Sequence, residues 1–472
     1  MSITQITNQV AVIGLAPMGK NFAKNFASRG IATAVYNRSF EKTQELLDEK
    51  KIDITGYSDL AECINSLSSP RKIFLLVKAG SGTDQTIEQI LPMLDKGDIL
   101  VDCGNTLYKD TIARQQKLHS IGINFVGCGI SGGYEGALLG PSLMPGGDPI
   151  VINQLLEVLK PVAAKDFLGQ ECVTNIGLGG AGHFVKMVHN GIEYAMMQGI
   201  AEVYDVLKAL QIGNMEAKHY FEFINTAENK SFLLDITVDI LGTIDSLEGG
   251  SLLDMIDSRA GAKGTGKWTV EAGMDYGVSV PNIFAGLNAR VMSEIWHQYK
   301  SQADSIAISF KDRQGIDPEQ LKQILHNVIY SVFVTSYWQG IMLIDQANKD
   351  NNWNIDLAEV LRIWQGGCII RSQLLVTLTK IYKENKTNDC ILFPSTIFAQ
   401  SLLNITNFER MNLFLDISPA KPVIDSAKNY LITILSPTIP QNLVQAQRDH
   451  FGSHTYRRID QDGIFTDGWG TK

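Results

Sequence analysis

The sequence predicts an α/β domain with a parallel sheet, then a large all-helical domain, then a C-terminal tail. Three observations carry this. Over the first third, short runs rich in Val, Ile and Leu alternate with helical patterns, and each run ends in a polar or glycine-rich stretch; strands buried on both faces of a parallel sheet read this way. From about Gly180, strand patterns nearly vanish and long helical periods take over. From Ser436 the texture changes again, to prolines, glycines and mixed charge. The expected divisions are 1–179, 180–435 and 436–472.

The strands expected in order are Val10–Ile13, Ile31–Tyr36, Ile73–Val77, Ile99–Asp102 and Ile123–Gly127. The helical periods cover Phe184–Leu210, Asn282–Phe310, Pro318–Asn348 and Asp356–Tyr382. His189-Asn190 with Gln198-Gly199, and His326-Asn327 with Gln339-Gly340, hint at an internal duplication, although the spacings differ. The tail holds Phe451, Tyr456, Phe465 and Trp469. Disordered tails seldom carry so many aromatics, so this one is expected to dock onto something.

The chain has 472 residues, 44% apolar and 19% charged, enough for two or three domains with substantial cores. A formal net charge of −9 argues against nucleic acid or an anionic membrane as the main partner. No apolar run is long enough to span a bilayer, and the start, MSITQITNQV, lacks the pattern of a signal peptide. The six cysteines (Cys63, Cys103, Cys128, Cys172, Cys368, Cys390) show neither a CxxC pair nor zinc spacing. They read as buried free thiols of a cytoplasmic protein, and no metal-ligand cluster is visible.

The first strand runs into Gly14-Leu-Ala-Pro-Met-Gly19, a GxGxxG pattern with Ala16 in the second glycine slot. Pro17 falls in the first helical turn, where its missing N–H loses nothing, and Gly30 suits the helix end. Strand, glycine turn, helix and second strand thus arrive in the order of a Rossmann-like dinucleotide site, which places Gly14, Leu15, Ala16, Met18 and Gly19 at the cofactor. The second strand ends in Asn37-Arg38-Ser39, where an NAD site usually carries an acid. A guanidinium and a hydroxyl suit a 2′-phosphate, so NADP is expected over NAD. Val77 ends the third strand and Lys78 and Ala79 follow it; Asn105 follows the fourth, and Ser131, Gly132 and Gly133 the fifth. Ligands bind at that edge of such sheets. The last three suit a carboxylate or the nicotinamide.

Residues 182–194, GHFVKMVHNGIEY, put Lys186, His189, Asn190 and Glu193 at i, i+3, i+4 and i+7. On a helix they share an arc of roughly 100°, with Lys186 and Glu193 about 10 Å apart along the axis. Apolar residues fill the flanks. A lysine in such surroundings can serve as a base and a glutamate as a protonated acid. That pair suits oxidation of an alcohol followed by protonation of a carbanion-like carbon.

The chain resembles the 6-phosphogluconate dehydrogenases, within the β-hydroxyacid dehydrogenase superfamily. The resemblance is carried, in the family's order, by GLAPMG at 14–19, NRS at 37–39, FVGCGISGGYEGA at 125–137, GPSLMPGG at 140–147, GHFVKMVHNGIEY at 182–194, KGTGKWT at 263–269, GGCIIRS at 366–372 and QRDHFGSHTY at 447–456. It implies oxidative decarboxylation of 6-phosphogluconate to ribulose 5-phosphate and CO2 with reduction of NADP, a pentose phosphate pathway step. It implies Lys186 as base, Glu193 as acid and Asn190 as orienter of the C3 oxygen. Ser131, Gly132 and Gly133 would hold the carboxylate end, with Asn105 and His189 also at the substrate. Tyr194, Lys263, Thr265 and Arg290 would serve the phosphate. Arg448 and His454 would come from the tail of a second subunit, so a homodimer with tail exchange is expected, without a metal. Leu107, Tyr134, Gln365 and Pro17 depart from the family's usual residues.

Two alternatives stand beside this reading: another β-hydroxyacid dehydrogenase acting on a shorter acid, or a weakly active paralogue that binds NADP or 6-phosphogluconate. A GxxxxGK match at 261–267 lacks the following Ser or Thr and a preceding strand, so it is not a P-loop.

Overall fold

Seven short strands form one sheet in the order β3-β2-β1-β4-β5-β6-β7. They are β1 Val10–Ile13, β2 Thr33–Tyr36, β3 Ile54–Tyr57, β4 Lys72–Leu75, β5 Ile99–Asp102, β6 Asn124–Ser131 and β7 Ser142–Gly146. The structure, a computed structural model, describes residues 8–49, 53–262, 264–303, 316–384, 395–415, 419–467 and 469. Every neighbouring pair is parallel except β6 and β7. Alternate strand residues feed two separate cores. Val10, Val12, Ile99 and Val101 join one; Ala11, Ile13, Leu100 and Ile73 join the other. Strands covered on both faces must be apolar at every position, which explains the unbroken Val/Ile/Leu runs.

Two strands escape the sequence pattern. β3 (ITGY) is a half-buried edge strand with a glycine, and β7 (SLMPG) contains a proline. Proline donates no ladder hydrogen bond and argues against a strand. The expectation of an all-parallel sheet is corrected by β7, which folds back antiparallel onto β6.

The second part is helical. A 29-residue helix, Ala181–Ala209, runs through its core, and the 34-residue helix Pro318–Asn351 packs along it. The two meet through reciprocal glycines. A Cβ on Gly199 would lie 2.6 Å from Val332 Cγ1, and one on Gly340 would lie 2.5 Å from Ile192 Cδ1. The expected helix Asp356–Tyr382 is in fact two, Leu357–Ile363 and Leu374–Glu384. They are broken at Gly366-Gly367, where Gly367 adopts φ +64° and a Cβ would strike Ala164 and Gly140. The helix expected to reach Phe310 is described as Pro281–Ala303, and its expected end lies outside the described residues. The tail holds a helix, Gln441–Gly452, and an antiparallel bridge between Tyr456 and Phe465. No helix among the described residues is long and apolar enough to cross a membrane.

Candidate functional site

The long helix Ala181–Ala209 reaches the sheet because glycines clear its path. In β6 every second residue from Gly127 faces it. A Cβ on Gly129 would lie 2.3 Å from Lys186 Cβ, and one on Gly127 2.7 Å from His183 Nδ1. On the helix, a Cβ on Gly182 would lie 2.3 Å from the Met144 carbonyl oxygen of β7. The alternate residues Val126, Cys128 and Ile130 point into the core on the other face. The period-2 glycines of GCG therefore set the depth at which Lys186 sits.

Lys186 is 7% exposed, and His189 and Asn190 are buried beside it. Lys186 Nζ lies 3.4 Å from His189 Nδ1, and the other ring nitrogen of His189 lies 3.0 Å from Ser131 Oγ. Asn190 Nδ2 donates to Asn105 Oδ1 at 3.5 Å. The Asn105 loop is fixed by Asp102, which accepts from Gly104 N at 3.0 Å and Thr106 Oγ1 at 2.8 Å. Glu193 forms the more open end, its side chain 22% exposed and its carboxylate 4.0 Å from His189 Nδ1. The structure thus joins Lys186, His189, Asn190, Glu193, Ser131 and Asn105. It also brings Asp102 and Thr106, which no sequence motif marks as site residues; an acid ending an apolar strand is the signal that points to Asp102.

Burial dominates the electrostatics. It brings the Lys186 amine down to about 8, against the opposing charge of Glu193. It holds His189 well below its ordinary value, helped by Lys186, so the ring is neutral. It raises Glu193, which Lys186 and Arg290 partly counter. The cluster therefore offers an amine that loses its proton near neutrality and a carboxyl that keeps one more readily than usual.

Ser131 ends β6, accepts from Ile369 N at 3.4 Å, and leads into Gly132 and Gly133 at the start of the helix Gly133–Leu139. A Cβ on Gly132 would lie 2.5 Å from the Gly367 carbonyl oxygen, whereas the space beside Gly133 is open. On the other side, the Arg290 guanidinium stacks 3.4 Å over the Tyr194 ring and donates to Gly261 O. Thr265 is buried at the first position of the helix Thr265–Asp275. Lys263 lies outside the described residues. Arg448 and His454 are exposed on the tail, with partners inside the tail itself.

A cavity of about 340 Å³ opens at the carboxyl ends of β1, β2 and β4. Its walls include Gly14, Leu15, Ala16, Asn37, Arg38, Ser39, Val77 and Lys78. Gly14 adopts φ +99°, and a Cβ there would lie 2.7 Å from Leu76 O, so only glycine fits. Leu15 N donates to Asn37 Oδ1, tying the two loops together. Ala16, in the cavity wall, caps the helix Pro17–Ser28 without a side-chain hydrogen bond and with Pro17 in the first turn, so the positive end of that helix lies beside the cavity. Met18, Gly19, Ala79 and Asn105 are not among the walls; a Cβ on Gly19 would lie 1.9 Å from Gly14 O, so its role is the close helix–turn packing. Lys42, one turn beyond Arg38 and marked by no sequence motif, adds a third cation to the wall beside Arg38 and Lys78. Ser39 Oγ donates to Glu41 at 2.7 Å and would turn to meet an anion. Glycine turn, helix N-terminus and three cations fit a dinucleotide bearing an extra phosphate. Among the described residues no cluster of three His, Cys, Asp or Glu could hold a metal.

Comparison with known proteins gives the same picture from two directions. Residues 9–177 match the family model for the NAD binding domain of 6-phosphogluconate dehydrogenase, and residues 182–469 match its C-terminal domain. The chain is 43% identical over 459 residues to a decarboxylating 6-phosphogluconate dehydrogenase of Synechocystis sp., covering 95% of each. It is 41% identical over 465 residues to the NADP(+)-dependent, decarboxylating enzyme of Bacillus subtilis, covering 98% of this chain and 99% of the relative. The solved 6-phosphogluconate dehydrogenase of Plasmodium falciparum, described in its apo form and in complex with NADP+ and with 6-phosphogluconate, superposes with a TM-score of 0.91 at 36% identity. It covers 98% of this chain and 100% of its own.

Proposed function

The chain belongs to the 6-phosphogluconate dehydrogenase family, and from that premise we propose that it oxidises and decarboxylates 6-phospho-D-gluconate to ribulose 5-phosphate and CO2. The single observation that carries this reading is the buried amine of Lys186 beside Asn190 and Glu193 on one helix face. NADP, when bound, accepts the hydride that leaves C3. The neutral Lys186 amine takes the C3 hydroxyl proton as that bond breaks. The 3-keto acid then loses its carboxyl group as CO2, and the bonding pair moves toward the carbonyl oxygen. The Lys186 ammonium and the Asn190 amide stabilise the charge that gathers there. Lys186 lends its proton to that oxygen to give the enediol and takes it back as Glu193 gives its proton to C1, which yields the ketose.

Ser131 with the Gly132 and Gly133 backbone holds the carboxylate end, and His189 fixes Ser131 through their hydrogen bond. Tyr194, Lys263, Thr265 and Arg290 receive the phosphate. Arg38, Asn37, Ser39 and Lys42 receive the 2′-phosphate of NADP. The tail of a second copy supplies the partner's Arg448 and His454. Support for a dimer comes from the apolar stripe left open on the helix Pro281–Ala303, with Phe284, Val291 and Tyr299 each more than half exposed. We divide the chain into 1–179 for the cofactor, 180–435 for substrate and dimer contacts, and 436–472 for the exchanged tail. We place the protein in the cytoplasm, which suits its free thiols at Cys63, Cys103, Cys128, Cys172 and Cys368; Cys390 lies outside the described residues.

The test is absorbance at 340 nm with purified protein, 6-phosphogluconate and either NADP or NAD. Rapid NADPH formation with stoichiometric CO2 is expected; absence of both overturns the reading, and equal rates with NAD overturn the cofactor assignment.

A further inference from the structure

Within the tail, one carboxylate accepts hydrogen bonds from four residues. Asp449 lies on the tail helix and is 2% exposed although its neighbours are open to solvent. It accepts from Thr455 N at 2.7 Å, Thr466 Oγ1 at 2.9 Å, Asp467 N at 3.2 Å and Trp469 Nε1 at 2.8 Å. Its own carbonyl accepts from Ser453 N at 2.8 Å. The turn it holds is strained: Ser453 and Thr455 adopt φ +51° and +59°, and His454 stands between them. Residues persist in that region only where surroundings hold them. Gln445, one turn earlier, links the same turn to Arg448. It donates to Thr455 O at 2.5 Å and accepts from Arg448 Nη1 at 3.1 Å.

We propose that Asp449, with Gln445, is a positioning residue that preforms the turn carrying His454 and the helix carrying Arg448 before the tail meets a partner's substrate site. This rests on the reading that Arg448 and His454 complete that site. Desolvation opposes the charge on Asp449, but the donated bonds, led by Trp469, outweigh it and hold its carboxyl below the usual range. The carboxylate therefore stays ionised at neutral pH, and all its donors stay satisfied. Preformed geometry favours binding because less ordering is left to do on association.

The experiment compares steady-state kinetics of Asp449→Asn and Gln445→Leu with those of Arg448→Ala and His454→Ala, in the full-length chain. An amide at 449 turns an N–H toward donors. Asp449→Asn should raise the Michaelis constant for 6-phosphogluconate about tenfold, with kcat changed less than about threefold. The constant for NADP and the sedimentation of the dimer should not change. A wild-type substrate constant in Asp449→Asn, with Arg448→Ala and His454→Ala impaired, overturns the positioning role alone. Wild-type behaviour of Arg448→Ala and His454→Ala overturns it together with the tail-exchange reading. Loss of the dimer with equal losses for both ligands marks a merely structural role and also overturns it. Should Asp449→Asn aggregate, Gln445→Leu must show the same selective rise, and a wild-type constant there overturns the proposal.

Discussion

Burial among the apolar flanks of its helix brings the Lys186 amine down to about 8, so the free base becomes the majority form as pH rises through that value. A base must be unprotonated to act. On the acid side, kcat/KM for 6-phosphogluconate should therefore climb about tenfold per pH unit and level off near pH 8; a flat profile from pH 6 to 9 would contradict the role of Lys186. The sequence showed this stripe because its four polar residues fall at one helical spacing among apolar ones. It did not show Lys42, because a lysine in the first turn of a helix reads as a solvated surface charge until the cavity it borders is seen. Arg38→Ala should raise the Michaelis constant for NADP about a hundredfold and that for NAD little, by paired titrations at 340 nm; equal effects would remove the 2′-phosphate argument. Of the residues that depart from the family's usual ones, Gln365 is buried and donates to Thr379 Oγ1 at 2.8 Å. Tyr134 is 68% exposed, with its carbonyl accepting from Asn21. Leu107 precedes the helix Tyr108–His119, and Pro17 sits in the first turn of its own.

At the scale of elements, the site depends on how closely the helix Ala181–Ala209 lies over β6. Gly129 faces Lys186 with no room for a methyl group. Gly129→Ala should lower kcat about a hundredfold while leaving the NADP constant near wild type, since a shift of about 1 Å at a reacting group costs that much; unchanged kcat would show that this approach does not set the amine. The parallel strands were legible because burial on both faces leaves continuous apolar runs. β3 and β7 were not, since one is a short edge strand with a glycine and the other carries Pro145. The break at Gly366-Gly367 was hidden because the helical period continues on either side of it. What forces the break is a close approach to Ala164 and Gly140, more than 200 positions earlier in the chain, a distance that local periodicity does not sense.

At the scale of the whole molecule, the change from strand to helix patterns near residue 180 falls where the sheet gives way to the helix Ala181–Ala209, and the aromatic tail is proposed as a third part. In the single chain, Tyr456, Phe465 and Trp469 pack on one another, while Phe451 is 74% exposed. A tail that folds on itself and keeps an apolar side chain outside is what exchange between subunits calls for. Removing residues 436–472 should abolish NADPH formation and shift sedimentation from dimer toward monomer; a truncated dimer with full activity would contradict the exchange. What a second copy would add to a site leaves no local signal in the sequence beyond composition, so the roles proposed for Arg448 and His454 rest on resemblance alone.

The most direct measurement is the rate of NADPH formation at 340 nm by Lys186→Met, a near-isosteric change that keeps the bulk and removes the amine. At saturating NADP and 6-phosphogluconate, a loss of about a thousandfold or more is predicted, with the bound cofactor still protecting the protein against thermal unfolding. A rate within a few fold of the unsubstituted chain would mean that the amine is not the base.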